Sequence, residues 1–269
     1  MKTKNLLAIC IFSLLTVNLT YARWPQPDPH AENYYPQSPY AFVGGNPINK
    51  VDPDGRDEYT INARGDMTFV RKSDEHWLYL VNNKGNYVNN KDGNKVGVQV
   101  SDVAILEGLY TNVVSVPEYD SEGNMIGKQV NRSVETGDAS GSDMASVFSF
   151  VGQNTNNEWA LSYGTNASGQ GVYGLATNGS PYGVFPELSV GIVGSIHSHP
   201  ASRITPGIAG ERYSLGNDAS NMVGRNTPYR SYVYMGTSGN VWQVGNRTGN
   251  LTNTGRQTPA QINRLLRGR

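Results

Sequence analysis

Short apolar stretches alternate with turn-forming clusters through residues 57–132. Tyr59 to Ile61 and Met67 to Val70 flank Ala63-Arg64-Gly65-Asp66. Trp77 to Val81 and Tyr87-Val88 flank Asn82-Asn83-Lys84-Gly85-Asn86, and Val96 to Val100 alternates after Lys91-Asp92-Gly93-Asn94. Alternation bounded by Asn, Asp and Gly predicts strands and hairpins. A further hairpin is predicted around Tyr119-Asp120-Ser121-Glu122-Gly123-Asn124. The pattern changes near residues 133–142, which are rich in Ser, Gly, Asp and Thr and suggest a boundary. Met144, Val147, Phe148 and Val151 then recur at helical spacing behind Asp143, a credible cap. Strands are expected at Glu158 to Tyr163, Val172 to Ala176 and Val190 to His197, the last a β-branched run suited to a buried position. Residues 200–216 read as a loop and Asp218 to Val223 as the first turns of a helix. Tyr229 to Gly236 and Val241 to Val244 read as a hairpin, and Gln257 to Leu266 as a helix with Thr258 as cap and Pro259 in its first position. The sum is an α+β chain: a mixed sheet flanked by helices over 141–269, preceded by a β-rich hairpin module or spacer over 57–140.

The first residues follow another rule. Lys2 and Lys4 precede an apolar stretch, Leu6 to Val17, too short to span a bilayer comfortably, and Thr20-Tyr21-Ala22 supplies a small-residue cleavage site. A signal peptide over 1–22 is expected, giving a secreted or periplasmic protein without a stable membrane span after cleavage. The single cysteine, Cys10, lies within that stretch. Disulfides, thiolate metal sites and a cysteine nucleophile are therefore excluded from the mature chain. The 22 basic and 22 acidic residues balance, which gives no electrostatic reason to expect a nucleic-acid partner. Gly (31) and Tyr (16) are frequent and mean hydropathy is −0.48, in keeping with short strands and loops.

The candidate chemistry lies in Gly194-Ser195-Ile196-His197-Ser198-His199-Pro200. Residues i and i+2 of a strand share a face, so His197 and His199 can aim two imidazoles at one point. Random placement of four histidines would yield such a pair only roughly 0.06 times. A catalytic zinc needs three protein ligands and an open position. Asp218 is the best candidate for the third, with Glu211 its rival. Hydrolysis also needs a base that takes a proton and returns it. Glu158, beside Trp159 on an expected core strand, is the candidate, with Glu187 as runner-up.

Two resemblances follow from these residues. Tyr40 to Arg56, with Asn46-Pro47 and Asp52-Pro53-Asp54-Gly55, resembles the end of an RHS-repeat-associated core, which is followed by a variable effector domain; the likeness covers 33–56 within a 23–56 linker. The order of helix, Glu-bearing strand, hairpin, His-Ser-His-Pro strand, Ser-containing loop and Asp-led helix over 143–245 resembles the JAB/JAMM metallopeptidases, and most of all the JAB-like toxin domains found after RHS cores. That resemblance implies a cytidine-deaminase-like fold with zinc on His197, His199 and Asp218. It also implies Glu158 as general acid/base and Ser214 as the serine that stabilises the oxyanion. The loop from Pro200 to Ser214 is longer than the family pattern. The expected activity is zinc-dependent cleavage of an amide in a polypeptide or isopeptide, in a toxin-like effector with a cognate immunity protein as a further partner. A metal-dependent nuclease and a non-catalytic secreted binding module are the alternatives.

Overall fold

A computed structural model describes residues 57–72, 75–119, 122–184, 188–224 and 229–268. The signal peptide, the linker, the RHS-like segment and Glu187 lie outside them. Nearly all described residues belong to one compact unit, Glu58–Val70 with Glu75–Arg269. It holds two mixed sheets and five α-helices among the described residues.

The smaller sheet has the order β2-β1-β3-β4, from β1 (Asp57–Asn62), β2 (Met67–Lys72), β3 (His76–Val81) and β4 (Gly97–Val100). The β1–β2 turn closes through Gly65 at φ +81°, where glycine is the residue of least strain. After β4 comes α1 (Val103–Thr111), a helix that the β-rich reading of this stretch did not include. Asp102 caps it by accepting from the Ala104 N–H, and Ile105, Leu106 and Leu109 are fully buried. The β-branched Val103 and Ile105 and the interior Gly108 hid this helix from propensity. The cap and the apolar spacing were the legible signals.

The larger sheet has the order β12-β11-β10-β9-β7-β8-β6-β5. The expected hairpin is β5 (Val113–Tyr119) with β6 (Met125–Gly137). β6 continues through residues 133–137, expected as a boundary, and pairs with β8 (Gly171–Thr177) from Arg132↔Thr177 to Gly137↔Val172. α2 (Gly141–Asn154) follows a 3-10 turn. Asp143 is not its cap: it lies in the first turn, and its carboxylate accepts from the backbone N–H of Ser101 and Asp102. β7 (Ala160–Thr165) pairs antiparallel with both β8 and β9 (Ile192–His199). β9 and β10 (Arg230–Met235) run parallel, and parallel neighbours need a long crossover. Residues 200–229 provide it. The expected loop carries a short helix, α3 (Ile208–Ser214), and the helix expected from Asp218 is α4 (Gly216–Met222), which starts two residues earlier. β11 (Asn240–Val244) completes the expected hairpin. β12 (Leu251–Arg256), too polar to read as a strand, adds an edge. α5 (Pro259–Arg267) begins as expected, with a Thr258–Gln261 capping box and Pro259 at its start, an arrangement that contributes about 1 kcal/mol.

Alternation along β10 divides the core. Tyr232 and Tyr234 join the main cluster with α2 and α5 residues such as Phe148, Ile262 and Leu266. Val233 and Met235 join a second cluster with Ile204, Leu215, Met222 and Trp242. In the parallel register His197 lies beside Val233 and His199 beside Met235, so both histidines belong to the second face, the one closed by α3 and α4.

Candidate metal centre

Three elements build the centre. β9 carries His197 and His199, whose rings lie 5.3 Å apart between centroids. α4 brings Asp218, whose Oδ1 stands 3.1 Å from His197 Nε2 and whose Oδ2 stands 3.2 Å from His199 Nε2. The residues just before β7 bring Glu158, whose Oε1 is 3.9 Å from His199 Nε2. Glu158 was expected as the first strand residue and lies two positions ahead of it. Its backbone is nonetheless fixed: the Glu158 N–H donates to Ser180 O at 2.9 Å, and the Thr177 hydroxyl donates to Glu158 O at 2.7 Å. Trp159 and Ser198 clamp the junction, with Ser198 N–H to Trp159 O at 2.8 Å and Trp159 N–H to Ser198 Oγ at 3.0 Å. Trp159 is fully buried, a burial worth about 2–3 kcal/mol.

Glu158, His197 and His199 form a cluster able to hold a metal ion, with ligand atoms all within 4.8 Å of one another. Asp218 lies closer to both imidazoles than Glu158 does, so two carboxylates compete for a place on the same histidine pair. Their electrostatics separate them. Burial pushes the Glu158 carboxyl up to about 7; Asp218 reinforces this, while His197 and Arg203 oppose it. Burial also acts to raise Asp218, but hydrogen bonds from His197 and His199 overcome it and hold Asp218 well below the usual carboxylate range. Burial alone would lower His197, yet the Asp218 hydrogen bond and the two carboxylate charges raise it. His199 is lowered, chiefly by burial. The result is one carboxylate held ionised and one poised near neutrality, the division of labour that acid–base sites exploit.

Ser214 does not face the same space. Its Oγ lies 3.2 Å from His199 Nδ1, on the edge of the ring away from Asp218, and donates to Glu211 O at 2.7 Å. Without a cation, His199 Nε2–H donates to Asp218 Oδ2; when a cation takes Nε2, the proton belongs on Nδ1, where the Ser214 hydroxyl, its own proton on Glu211 O, accepts it. Two imidazole nitrogens with carboxylate oxygens, and no sulfur, are a donor set that fits a borderline divalent cation.

Glu211, the rival third ligand, is not in the centre. It is 1% exposed and accepts from Asn240 Nδ2 through both oxygens at 3.1 Å and from Trp242 Nε1 at 2.9 Å. Arg203, which nothing in the sequence singled out, is in the centre. Its Nη1 donates to Glu158 Oε1 at 3.1 Å and also to the Pro181 carbonyl, and its guanidinium lies 4.5 Å from the Tyr182 ring centroid.

Residues 138–223 match the family model described as JAB-like toxin 1. The segment contains Glu158, His197, His199, Ser214 and Asp218, and it begins where β6 ends. The JAB-like toxin domain expected from the histidine motif is thus supported, and the mixed sheet with flanking helices is the fold expected of it. No curated protein and no solved structure matches the chain. Among the described residues, no helix is long and apolar enough to cross a membrane.

Proposed function

We propose that the chain is a toxin-type zinc peptidase or isopeptidase that hydrolyses an amide bond at the β9 centre, exported by its signal peptide. The observation that carries this reading is the unequal pair of carboxylates around His197 and His199. In this reading His197, His199 and Asp218 hold the zinc, since Asp218 stays ionised and lies 3.1–3.2 Å from both Nε2 atoms. Bound zinc supplies a Lewis acid that polarises the amide carbonyl and acidifies water.

The chain's own residues do the rest. Glu158, with its carboxyl near 7, accepts the proton of the attacking water and returns it to the leaving amine. Arg203 holds the Glu158 carboxylate in position through Oε1, the same oxygen that faces His199. Ser214 fixes the His199 tautomer through Nδ1, an orienting role in place of the oxyanion contact expected from the sequence.

Metal content and cleavage test the reading together. Purified protein is expected to hold one zinc per chain and to cleave a mixed-sequence peptide library, read by mass spectrometry. The His197→Ala, His199→Ala double variant should lose both. Stoichiometric zinc that survives the double substitution would overturn the assignment.

A further inference from the structure

Arg203 follows His199 by four residues, and the end of β9 sets its place. Its backbone closes the 3-10 turn Ala201–Arg203, where the Arg203 N–H donates to Pro200 O at 3.0 Å, and the next residue, Ile204, is buried in the second core cluster. Three groups hold its head. Nη1 donates to Glu158 Oε1 at 3.1 Å and to the Pro181 carbonyl, and the guanidinium carbon lies over the Tyr182 ring, 4.5 Å from its centre. Tyr182 is fixed in turn by its own N–H, which donates to Ser180 Oγ at 3.1 Å. Stacking uses the face of a guanidinium and leaves its in-plane N–H groups to donate. Among the described residues, no protein atom accepts from Arg203 Nε or Nη2. These two nitrogens carry parallel N–H groups along one edge, at the spacing of the two oxygens of a carboxylate.

A second arginine of the chain shows what such an edge takes. Arg267 lies over Tyr163 and Tyr173, 5.5 and 5.4 Å from their ring centres. Its Nε donates to the Tyr173 hydroxyl at 2.6 Å and to Asn263 Oδ1 at 3.0 Å, while Nη1 and Nη2 meet the two Asp138 oxygens at 3.2 and 2.8 Å. Every nitrogen of Arg267 is engaged, and a carboxylate spans two of them. Both arginines are stacked on tyrosine, yet Arg203 gives only one nitrogen to the protein and keeps 35% of its side chain accessible. Its open edge lies beside the metal centre. Arg203 Nη1 and His199 Nε2 both approach Glu158 Oε1, at 3.1 and 3.9 Å. One residue of extended chain spans roughly 3.5 Å, so an amide at Glu158 sets the residue next to it against the guanidinium. The Tyr182 ring, 78% exposed, offers that residue an apolar surface.

We propose that Arg203 is a specificity-determining residue, whose Nε–Nη2 edge binds a carboxylate carried by the residue next to the scissile amide. The open part of the Tyr182 ring packs against the carbon atoms of that residue. The substrate class is a peptide or isopeptide cut beside an acidic group. Two sources offer that group: the α-carboxylate of a chain end, or the side chain of Asp or Glu. The proposal rests on the amide-hydrolase reading above. It gives Arg203 a contact with the substrate besides the Nη1 contact that positions Glu158.

The test reads binding before turnover. Fluorescence anisotropy is measured on the full chain, with chelator present so that no peptide is cut. The probes are fluorescein-labelled tetra-alanine with a free C-terminus, its C-terminal amide, and two C-terminal amides with Glu or Gln at the third position. The free acid should bind roughly tenfold tighter than its amide, or the Glu peptide roughly tenfold tighter than the Gln peptide. The first result identifies a chain end as the source of the carboxylate, and the second a side chain. Arg203→Gln should erase the preference. Arg212→Gln, the same change of charge at an exposed position of α3, should keep it. Tyr182→Ala, at a position too exposed for the fold to depend on, should reduce it. Without chelator, Arg203→Gln should raise KM for the preferred peptide about tenfold, with kcat changed by only about fivefold. Equal affinity for acidic and neutral peptides, no binding of any of the four, or a preference lost equally in Arg212→Gln overturns the proposal. Cleavage without the preference removes this proposal alone. The preference without cleavage leaves the carboxylate site standing and removes the hydrolase reading.

Discussion

Two regions of this molecule bury a glutamate, and they treat it in opposite ways. Under α3, Glu211 is enclosed by Asn240 and Trp242, whose N–H groups fill both oxygens. Ahead of β7, Glu158 is equally removed from water, at 4% exposure, yet has one guanidinium nitrogen on Oε1 and an imidazole 3.9 Å away. A buried carboxylate with its hydrogen bonds satisfied is a structural post. A buried carboxylate short of donors keeps its proton up to near neutral pH, where it can both give and take it, and has chemistry left to do. Burial does not separate the two; the completeness of the hydrogen bonding does.

The comparison can be broken most sharply at Glu158. Glu158→Gln should lower the rate of peptide-library cleavage by about 10²–10⁴ and relieve growth inhibition on expression, with thermal stability retained. An active, still-toxic Glu158→Gln protein would remove Glu158 from the mechanism.

The pH dependence of stability is the next largest effect. In chelator-treated protein, the native state keeps a proton on Glu158 that the unfolded chain releases between its ordinary pKa of 4.5 and about 7. The native state binds more protons there, so this group's contribution makes stability fall as pH rises through that window. The loss is roughly 3 kcal/mol and levels off above it. Denaturant melts should show the slope in the parent and its loss in Glu158→Gln.

Glu211→Leu sharpens the other half. It strands the Asn240 and Trp242 donors and should cost about 1–3 kcal/mol in stability, while cleavage below the melting transition stays near the parent level. Loss of zinc without loss of stability in that variant would return Glu211 to the list of ligands.

The smallest effect is at Arg203. The pair with Glu158 is part-exposed, with 35% of the Arg203 side chain accessible. Arg203→Gln should change the rate by only about fivefold. Because Arg203 favours the ionised form of Glu158, its loss should move the acid limb of the rate profile to higher pH. An unmoved limb would show that Arg203 does not act through Glu158.

The readable parts of the sequence were those governed by local rules. The His-Ser-His spacing declares one strand face, the Thr258-Pro259-Ala260-Gln261 start declares a capped helix, and the Asn- and Gly-rich turns declare hairpins. Glu158 and Asp218 were legible through chemistry and order in the chain; Glu211, ranked behind Asp218, could not be dismissed outright, because its partners Asn240 and Trp242 lie more than twenty residues away. The same limit explains Asp143. Its sequence neighbours make it a helix cap, while its actual partners, the backbone of Ser101 and Asp102, come from another element. Arg203 and the pairing of β6 with β8 depend on contacts that no local pattern encodes.

The placement of β9 bears on how small a working piece of this protein can be. All five site residues precede residue 224, but β9 takes its parallel neighbour from β10, and Leu266 of α5 sits against Gly194 so closely that a side chain there would collide with the Leu266 backbone. A fragment cut after α4 would carry the full set of reactive groups on a strand with one raw flank and an uncovered apolar face. Such a strand recruits other chains instead of a substrate. Among the described residues, those from β10 onward supply none of the candidate ligands, yet they flank β9 and cover its apolar face.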